Sequence, residues 1–384
     1  MRSTFLLPLA LLGTIACGTI ASPGSGDLNL PTADVGPFSP LTQAEVASGD
    51  IPPFVFLSES AQYREPSVIA ATDDTSGPGV ILYAVATTSS GDVIVRTRAD
   101  DGVSFYGDTV DQQDHPGDRP PVVLRASQPW EGADLSGPSV LRVGSEVRLY
   151  YGAAGGIGLA RSTDGGLTFQ AQPQPVLAPD HSAGWEFTPP RAPTVAQLPD
   201  GTFDMLYASG DAIGEAVSPD GVTGWKRVDG DPATPATLDP VLVASAYVDP
   251  STLPTGVPPP FDEGAVDDPL LVPSVDVAGK LVVRVLYTGY SAPIGAASRT
   301  SAIGVAARYH GTSVRFTKQS NPVYSVQSGE AAPALLQFGG DQALLYVQQL
   351  NSTLDMAHPF LAIAAAYAPP AGMLRAPGAF PTTP

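Results

Sequence analysis

Two carboxylates stand at equivalent places in a repeated pattern of this sequence, and as a pair they could perform acid–base chemistry. Glu65 and Asp268 each come directly before a proline that opens an apolar run. Three other runs have the same proline, but the residue before it is small: Gly137, Ala192 and Ala332. A residue required for structure would recur in every copy, so the two acids are better candidates for function than for packing. General acid–base catalysis uses such a pair, one group as proton donor and the other as base.

Charged residues are also selective one position earlier. The residues there, in chain order, are Arg64, Ser136, Arg191, Asp267 and Ala331. Arg64 and Arg191 could bind an acidic ligand through bidentate contacts. Each arginine could equally neutralise a neighbouring carboxylate, and the sequence leaves both interpretations open.

The segments that must position these residues form a repeat with three parts. The first is the proline-initiated apolar strand, found at 65–69, 137–141, 192–195, 268–272 and 332–336. Proline is tolerated at the first residue of a strand because no ladder hydrogen bond is lost there. The second is a strand with a Leu-Tyr pair, at 82–83, 149–150, 206–207, 286–287 and 345–346. The third is rich in small residues that suit closely passing strands, at 157–160, 213–216, 303–306 and 361–364.

A turn follows the third strand. Its fullest copy, Ser162–Phe169, reads Ser-Thr-Asp-Gly-Gly-Leu-Thr-Phe and resembles the Asp-box of β-propeller proteins. In such a turn the Asp and Thr side chains bond backbone amides, and the glycines supply positive φ angles. Weaker copies stand at 100–105, 218–225 and 310–316.

Five units of short strands, each closed by a turn, predict an all-β fold: a five-bladed β-propeller with four-stranded antiparallel blades over residues 54–370. Radial closure protects the edges of such sheets. Composition agrees, since Gly (40) and Pro (41) are abundant while hydrophobic residues still make up 43% of the chain. The net charge of −19 argues against nucleic acid or an anionic membrane surface as a partner, because both require Lys/Arg-rich surfaces.

The N-terminus has the pattern of an export signal over residues 1–17. Arg2 precedes a short apolar run, and small residues then precede Cys17, the only cysteine of the chain. This arrangement resembles a bacterial lipoprotein signal, in which Cys17 would be lipidated and would anchor the protein to the cell envelope; an ordinary secretory signal is the alternative. Residues 18–53 read as a flexible tether, and residues 371–384 as a disordered tail.

The repeat as a whole resembles the five-bladed propeller superfamily of glycoside hydrolases, which includes arabinanases, xylosidases, invertases and levansucrases. The resemblance covers the chain from Ser58 to about Ala368 and implies that the inner strand of each blade lines an axial funnel. It therefore implies a carbohydrate in that funnel. Glycoside hydrolysis needs a proton donor and a second carboxylate.

The same resemblance suggests acids in three successive blades. Glu65 occupies the blade-one position, where the family has Asp, and Asp134 is the candidate in blade two. Glu186 is the only nearby acid in blade three. The sequence thus departs from the arabinanase pattern, and our preferred catalytic pair is Glu65 and Asp268, with Asp134 as an auxiliary.

Three aromatic–acid pairs recur ahead of their blades: Trp130-Glu131, Trp185-Glu186 and Phe261-Asp262. Recurrence favours a structural role, such as an aromatic wedge between blades. Trp185 could also be a sugar platform, so Trp185 and Glu186 join Arg64, Arg191 and Asp267 as candidate substrate-binding residues.

Two further interpretations remain. Asp-boxes and two arginines are similar to features of sialidases, but those have six blades and three arginines. Carboxylates at 262–263 and 267–268 could hold Ca²⁺, but no regular ligand loop is present, so we expect no cofactor. The sequence therefore indicates an exported monomer, glycoside hydrolase-like and acting on an oligo- or polysaccharide. The alternative is a non-catalytic surface propeller that binds carbohydrate or protein.

Overall fold

The structure, a computed structural model, describes residues 38–40, 54–56, 63–71, 79–99, 106–107, 120–234, 237–255, 258–275, 279–293, 299–312, 315–325, 329–338, 341–350 and 360–368. Within these ranges the elements are β-strands and one short 3-10 helix, Pro250–Thr252. No helix in the described ranges has the length and apolar character needed to span a membrane.

Five antiparallel sheets, the blades, contain the strands, which are numbered in chain order. Blade one contains β3 (Tyr63–Ala71), β4 (Gly79–Thr88), β5 (Gly91–Ala99) and β6 (Tyr106–Gly107), with β7 (Val122–Leu124) also paired to β5. Blade two contains β8 (Ser136–Val143), β9 (Glu146–Ala153), β10 (Gly156–Ser162) and β11 (Gln170–Ala171). Blade three contains β12 (Arg191–Gln197), β13 (Phe203–Ser209), β14 (Ala212–Ser218) and β15 (Lys226–Val228). Blade four contains β16 (Ala265–Val275), β17 (Leu281–Tyr290), β18 (Ser301–Tyr309) and β19 (Thr317–Lys318).

Blade five combines the two ends of the chain. Counted outward from the axis, its first three strands are β20 (Glu330–Phe338), β21 (Asp341–Leu350) and β22 (Phe360–Ala368). The outer position is filled by β1 (Ser39–Pro40) and β2 (Phe54–Phe56), which both pair with β22. Because the inner strands β3, β8, β12, β16 and β20 contact each other in turn and β20 contacts β3, the five sheets close into a ring. The predicted five-bladed β-propeller is confirmed.

The N-terminal boundary of the propeller lies earlier than the sequence suggested. Ser39–Pro40 falls inside the segment 18–53 that was interpreted as a tether, yet it forms strand β1. Phe38, beside it, is 6% exposed and packs with Leu286 and Ile303 of blade four. A short stretch of the expected tether therefore belongs to the folded ring. The predicted signal at 1–17 and tail at 371–384 lie outside the described residues.

The apolar core lies between neighbouring blades. One cluster of buried side chains, for example, joins Ile81 and Tyr83 of blade one to Leu149 and Tyr151 of blade two. Hydroxyl groups that follow the repeated prolines add a bond across three of these seams: Ser67 Oγ accepts from Val140 N–H, Ser139 Oγ from Val195 N–H, and Thr194 Oγ1 from Leu271 N–H, each at 3.0 Å. These bonds explain why Ser or Thr follows the proline in the first three blades.

The Leu-Tyr pairs do not share one register. Tyr83 and Tyr150 lie opposite Ser67 and Ser139 of their inner strands, whereas Leu206 occupies that place in blade three. A shift of one residue turns a side chain to the other face of the sheet. Tyr83 and Tyr150 accordingly donate to the carbonyls of Gly166 and Gly221 in the next blade's turn, at 3.2 and 2.7 Å. The equivalents of Tyr207 in blades two and four are Tyr151 and Tyr287. The sequence alignment of blades one and two was therefore wrong by one residue.

The turns after β10 and β14 share one hydrogen-bond pattern. Asp164 accepts from Leu167 and Thr168 N–H at 3.1 Å and from the Thr168 hydroxyl at 2.5 Å. Asp220 accepts in the same way from Val222 N–H at 2.8 Å and Thr223 N–H at 2.7 Å. Burial alone would raise the pKa of Asp164, but the bonds from Ser162, Thr168 and Leu167 lower it to about 2.

Candidate functional site

The starts of the five inner strands surround an axial cavity. Its empty volume, including the part open to solvent, is about 290 Å³. Five dipeptides line it, one from each blade: Glu65-Pro66, Gly137-Pro138, Ala192-Pro193, Asp268-Pro269 and Ala332-Pro333. The residues that break the repeat, Glu65 and Asp268, thus share one cavity.

The residue before each of these prolines has a left-handed backbone. The φ angles are 56° at Glu65, 50° at Gly137, 45° at Ala192, 45° at Asp268 and 49° at Ala332. Each inner strand also shifts register there, so a β-bulge directs all five residues toward the axis. A side chain in the left-handed region costs about 1–2 kcal/mol, and such strain clusters at functional sites.

Asp268 is held by its neighbours in blade four. Thr288 donates its hydroxyl to Asp268 Oδ2 at 3.0 Å, and Asp267 Oδ1 accepts the Asp268 N–H at 2.9 Å. Burial, followed by the negative charges of Asp267 and Glu65, raises the pKa of Asp268 well above its ordinary value, while Arg191 and the Thr288 hydrogen bond act in the opposite direction. The carboxyl group of Asp268 can therefore hold a proton and donate it to a bound ligand.

Glu65 has a different environment, since its carboxylate accepts hydrogen bonds from two sides. Arg64 Nε donates to Oε1 at 3.2 Å, and the Gly137 N–H of the next blade donates to Oε2. The cavity thus presents one carboxylate paired with a cation and one carboxyl group whose burial favours its neutral form. Glycoside hydrolysis requires two such unlike acids.

Both candidate arginines are engaged in ion pairs. Arg64 pairs with Asp92 as well as Glu65, and its Nη1 donates to the Thr87 hydroxyl at 2.8 Å. Arg191 pairs with Asp267 at 2.6 Å. The structure therefore places Arg64, Arg191 and Asp267 beside the cavity and shows the charge neutralisation that the sequence left open.

Asp134 is not brought together with Glu65 and Asp268. Its side chain is exposed and does not line the cavity. Asp134 Oδ1 accepts the N–H of Asp92 in strand β5 at 3.0 Å, so its contact is with the neighbouring blade. In this position Asp134 is not among the residues that line the cavity, so the structure does not support the auxiliary role expected for it.

Trp185 and Glu186 belong to a recurring buried arrangement and do not line the cavity. Trp185 stacks on Tyr207 with ring centroids 6.0 Å apart, and Glu186, which is 0% exposed, accepts from the Tyr207 hydroxyl at 2.5 Å and pairs with Arg227 at 2.7 Å. Blades two and four repeat it with Trp130, Glu131 and Tyr151 and with Phe261, Asp262 and Tyr287. Each stacked pair packs against a glycine: Gly158, Gly214 or Gly304. Any larger residue at these positions would place its Cβ within the space of the rings.

The sequence interpretation missed two residues near the cavity. Phe187 is 67% exposed and covers Gly210, whose carbonyl accepts from Arg191 Nη2 at 3.2 Å. The residues that follow the other two aromatic–acid pairs are Gly132 and Glu263, neither of which is aromatic. A search for departures from the repeat, which singled out Glu65 and Asp268, would therefore have found Phe187 as well. Thr288 is fully buried, and no sequence pattern marks it.

No cluster of three or more His, Cys, Asp or Glu side chains in the described part of the chain has the geometry to hold a metal ion. Asp262, one of the suggested Ca²⁺ ligands, instead accepts from Tyr287 and pairs with Lys318 at 2.7 Å.

No protein-family model matches the sequence, and no curated protein matches it. Solved structures do match. A glycosyl hydrolase from Bacteroides ovatus, 13% identical, aligns over 90% of this chain and 97% of its own, with a TM-score of 0.57. A thermostable family-43 glycoside hydrolase, 14% identical, aligns over 84% and 98%, with a TM-score of 0.53.

An endo-arabinase from Bacteroides thetaiotaomicron, 13% identical, aligns over 86% of this chain and 99% of its own with a TM-score of 0.50. At such identities the likeness establishes a shared fold, the β-propeller, and nothing beyond the fold. Activity must be argued from the site, because one fold serves many functions.

Proposed function

We propose that this protein is a carbohydrate-active propeller that hydrolyses a glycosidic bond at its axial cavity, with Asp268 as proton donor and Glu65 as the second carboxylate. The observation that carries this proposal is that these two acids, alone among the five equivalent positions, face one cavity in unlike environments. The glycoside hydrolase neighbours support a carbohydrate as the substrate.

The proposed reaction uses both groups. The Asp268 proton passes to the glycosidic oxygen as the bond from that oxygen to the anomeric carbon breaks. Glu65 either takes a proton from the attacking water or attacks the anomeric carbon itself, and the water then completes hydrolysis with Asp268 as base. The charge of Glu65 favours this division of labour, because it disfavours ionisation of Asp268 and so raises the pKa of Asp268.

Phe187 extends the proposed site outward. Its exposed ring lies on Gly210, which is hydrogen-bonded to Arg191 next to the cavity residue Ala192. An aromatic face in this position can pack against the apolar face of a sugar ring whose neighbour occupies the cavity. Arg64 holds Glu65 and Arg191 holds Asp267, the neighbour of Asp268. Both arginines can contact sugar hydroxyls only with donors that their ion pairs leave free.

We also propose that the protein is exported and anchored through Cys17, and that the Ser162–Phe169 and Ser218–Trp225 turns are Asp-boxes. Support for export comes from the N-terminal pattern of charge, apolar run and small residues. Support for the Asp-boxes comes from the shared hydrogen bonds of Asp164 and Asp220. Labelling with a palmitate analogue, compared between the parent and Cys17→Ala, tests the anchor.

A non-catalytic sugar-binding propeller is the second candidate. It is favoured by the cavity lining of blades two and three: the family resemblance implies an acid from each of these blades, but they contribute Gly137 and Ala192 to the lining. This candidate keeps the cavity and Phe187 as a binding site and assigns no proton transfer.

One experiment separates the two candidates. A glycan array identifies ligands, and released sugar is then measured for the parent, Glu65→Gln, Asp268→Asn and the control Asp200→Asn, whose acid accepts from Thr202 in a remote exposed turn. The proposal expects turnover in the parent and the control, and a loss of 10²-fold or more in the two site variants. Binding without turnover in the parent establishes the second candidate, and full turnover in Glu65→Gln removes that residue as acid, base or nucleophile.

A further inference from the structure

Thr288 is fully buried behind the cavity, on strand β17 and opposite Asp267 of strand β16. Its hydroxyl makes two hydrogen bonds to residues of the cavity lining. Oγ1 accepts the Ala332 N–H of blade five at 2.9 Å and donates to Asp268 Oδ2 at 3.0 Å. Thr288 is thus the contact through which blade five helps to hold the carboxyl group of blade four.

The direction of these bonds follows from proton counting. A threonine hydroxyl has one proton, and an amide N–H can only donate. Oγ1 accepts from Ala332, and Asp268 Oδ2 is the acceptor that the described residues offer to the hydroxyl proton, so Oδ2 accepts that proton. A neutral Asp268 therefore carries its own proton on Oδ1, an atom to which no described residue donates.

We propose that Thr288 is a positioning residue that fixes the proton of Asp268, a residue of the cavity lining, on Oδ1. This inference rests on the proposed function, since it names the atom from which the proton leaves. The step is balanced: the O–H bond at Oδ1 breaks, the glycosidic oxygen takes the proton, and the negative charge of Asp268 is shared with Oδ2. The Thr288 hydroxyl then donates to a charged acceptor, a stronger bond than before transfer.

The same bond offsets the other groups that face Asp268. Asp267 on its own strand and Glu65 on β3 disfavour its ionised form, Arg191 on β12 favours it, and Tyr290 on β17 lies near. Because the Thr288 hydroxyl also favours the ionised form, its removal shifts the titration of Asp268 to higher pH.

Thr194 supplies a matched control. It is a buried threonine whose hydroxyl likewise accepts an amide N–H across a blade seam, from Leu271 at 3.0 Å. Among the described residues, no carboxylate is hydrogen-bonded to the Thr194 hydroxyl. Replacement by valine removes the same kind of inter-blade bond at both positions, so only an effect on Asp268 distinguishes them.

The test is a titration of the ¹³Cγ-labelled aspartates of the full protein, with the Asp268 resonance assigned from Asp268→Asn. We expect the Asp268 midpoint to lie at higher pH in Thr288→Val than in the parent, Thr288→Ser and Thr194→Val. If a substrate is turned over, kcat of Thr288→Val should fall on the order of tenfold, as expected for the loss of a hydrogen bond to a charged group, with KM little changed. Thr288→Ala replaces the valine variant if the latter does not fold.

Two results overturn the inference: an Asp268 midpoint in Thr288→Val equal to that of the parent, or a Thr288→Ser variant that shifts as far as Thr288→Val. The titration does not depend on turnover. A parent without hydrolysis but with a shift in Thr288→Val therefore rejects the proposed function while keeping the assignment of the proton to Oδ1. Turnover without a shift rejects Thr288 alone.

Discussion

Arg308 of blade four forms an ion pair with Glu215 of blade three, and the two side chains are only 4% and 3% exposed. Asp204 of blade three, which is 0% exposed, stands beside this pair. One cation and two acids therefore occupy a buried place between blades three and four, and none of the three lines the cavity. Removing one partner of a buried pair leaves an uncompensated charge, which costs more than the pair itself contributes.

Arg308→Met should lower the free energy of unfolding by about 3–5 kcal/mol, because Glu215 is left buried without its cation. Part of the loss comes from the Phe316 ring, which lies 4.5 Å from the guanidinium carbon. Urea unfolding measures the change. The double variant Arg308→Met/Glu215→Met should recover most of the loss, and an Arg308→Met protein as stable as the parent would contradict the importance of the pair.

As the pH rises, the free energy of unfolding should decrease less in Asp204→Asn than in the parent. Burial, followed by the charge of Glu215, raises the pKa of Asp204 well above its ordinary value, although Arg308 opposes this. The unfolded chain therefore loses its proton first, at about pH 3.9, and stability falls from there until the folded pKa is reached. We expect Asp204→Asn to be more stable than the parent at pH 7, as measured by urea midpoints over a pH series.

Asp220→Asn is the control of opposite sign. Backbone bonds from Thr223 and Val222 lower the pKa of Asp220 to about 2, so its contribution is present above about pH 3.9 and is lost as the pH falls toward that value. The difference in free energy of unfolding between the parent and Asp220→Asn should shrink as the pH is lowered.

For the Asp204 prediction, parallel pH profiles of the Asp204→Asn variant and the parent would show that Asp204 is not neutral in the folded protein.

Gly137→Ala should destabilise the ring by more than about 2 kcal/mol, since it combines a left-handed φ with a backbone overlap. A Cβ at Gly137 would overlap the Cα of Ala192 in the next blade, and backbone cannot move aside as a side chain can. Ala332→Gly, at an equivalent φ of 49°, should be neutral or stabilising. Thermal unfolding of both variants tests this, and equal losses in the two would show that φ does not decide tolerance here.

Phe187→Ala should weaken sugar binding with little effect on stability, because the ring is 67% exposed. Loss of one stacked aromatic contact costs about 0.5–1.5 kcal/mol, or roughly two- to tenfold in Kd. Isothermal titration with a ligand from the glycan array measures it. The control is Tyr247→Ala, which removes another exposed aromatic (71%) that is not among the residues lining the cavity. An equal loss in both variants would remove Phe187 from the site.

The sequence revealed the fold and the cavity because both come from repetition. The proline before each inner strand marks five units, and departures from the repeat at Glu65 and Asp268 are visible by simple comparison. Asp134 and Glu186 were chosen by proximity along the chain, which does not decide whether a side chain turns inward or packs on its own blade. Both lie in loops ahead of their blades' inner strands, where hydrogen bonds with Asp92 and Tyr207 engage them and neither lines the cavity.

Three features could not be read from the sequence for physical reasons. The one-residue shift of Tyr83 and Tyr150 depends on register, which a short Leu-Tyr pair does not specify. The role of Thr288 depends on an amide from the next blade, about 44 residues away along the chain. The pairing of Arg191 with Asp267 likewise joins two blades, so only the closed ring decides between a paired and a free arginine.

The first and last described strands lie in the same blade, and this has a consequence for biosynthesis. Strands β1 and β2 can pair with β22 only after residues 360–368 have been made, so the nascent polypeptide leaves the ribosome with its fifth sheet unfinished. Until then blade five has an open edge that other chains can join. The cavity that Glu65 and Asp268 share is therefore completed late, when β1 and β2 pair with β22.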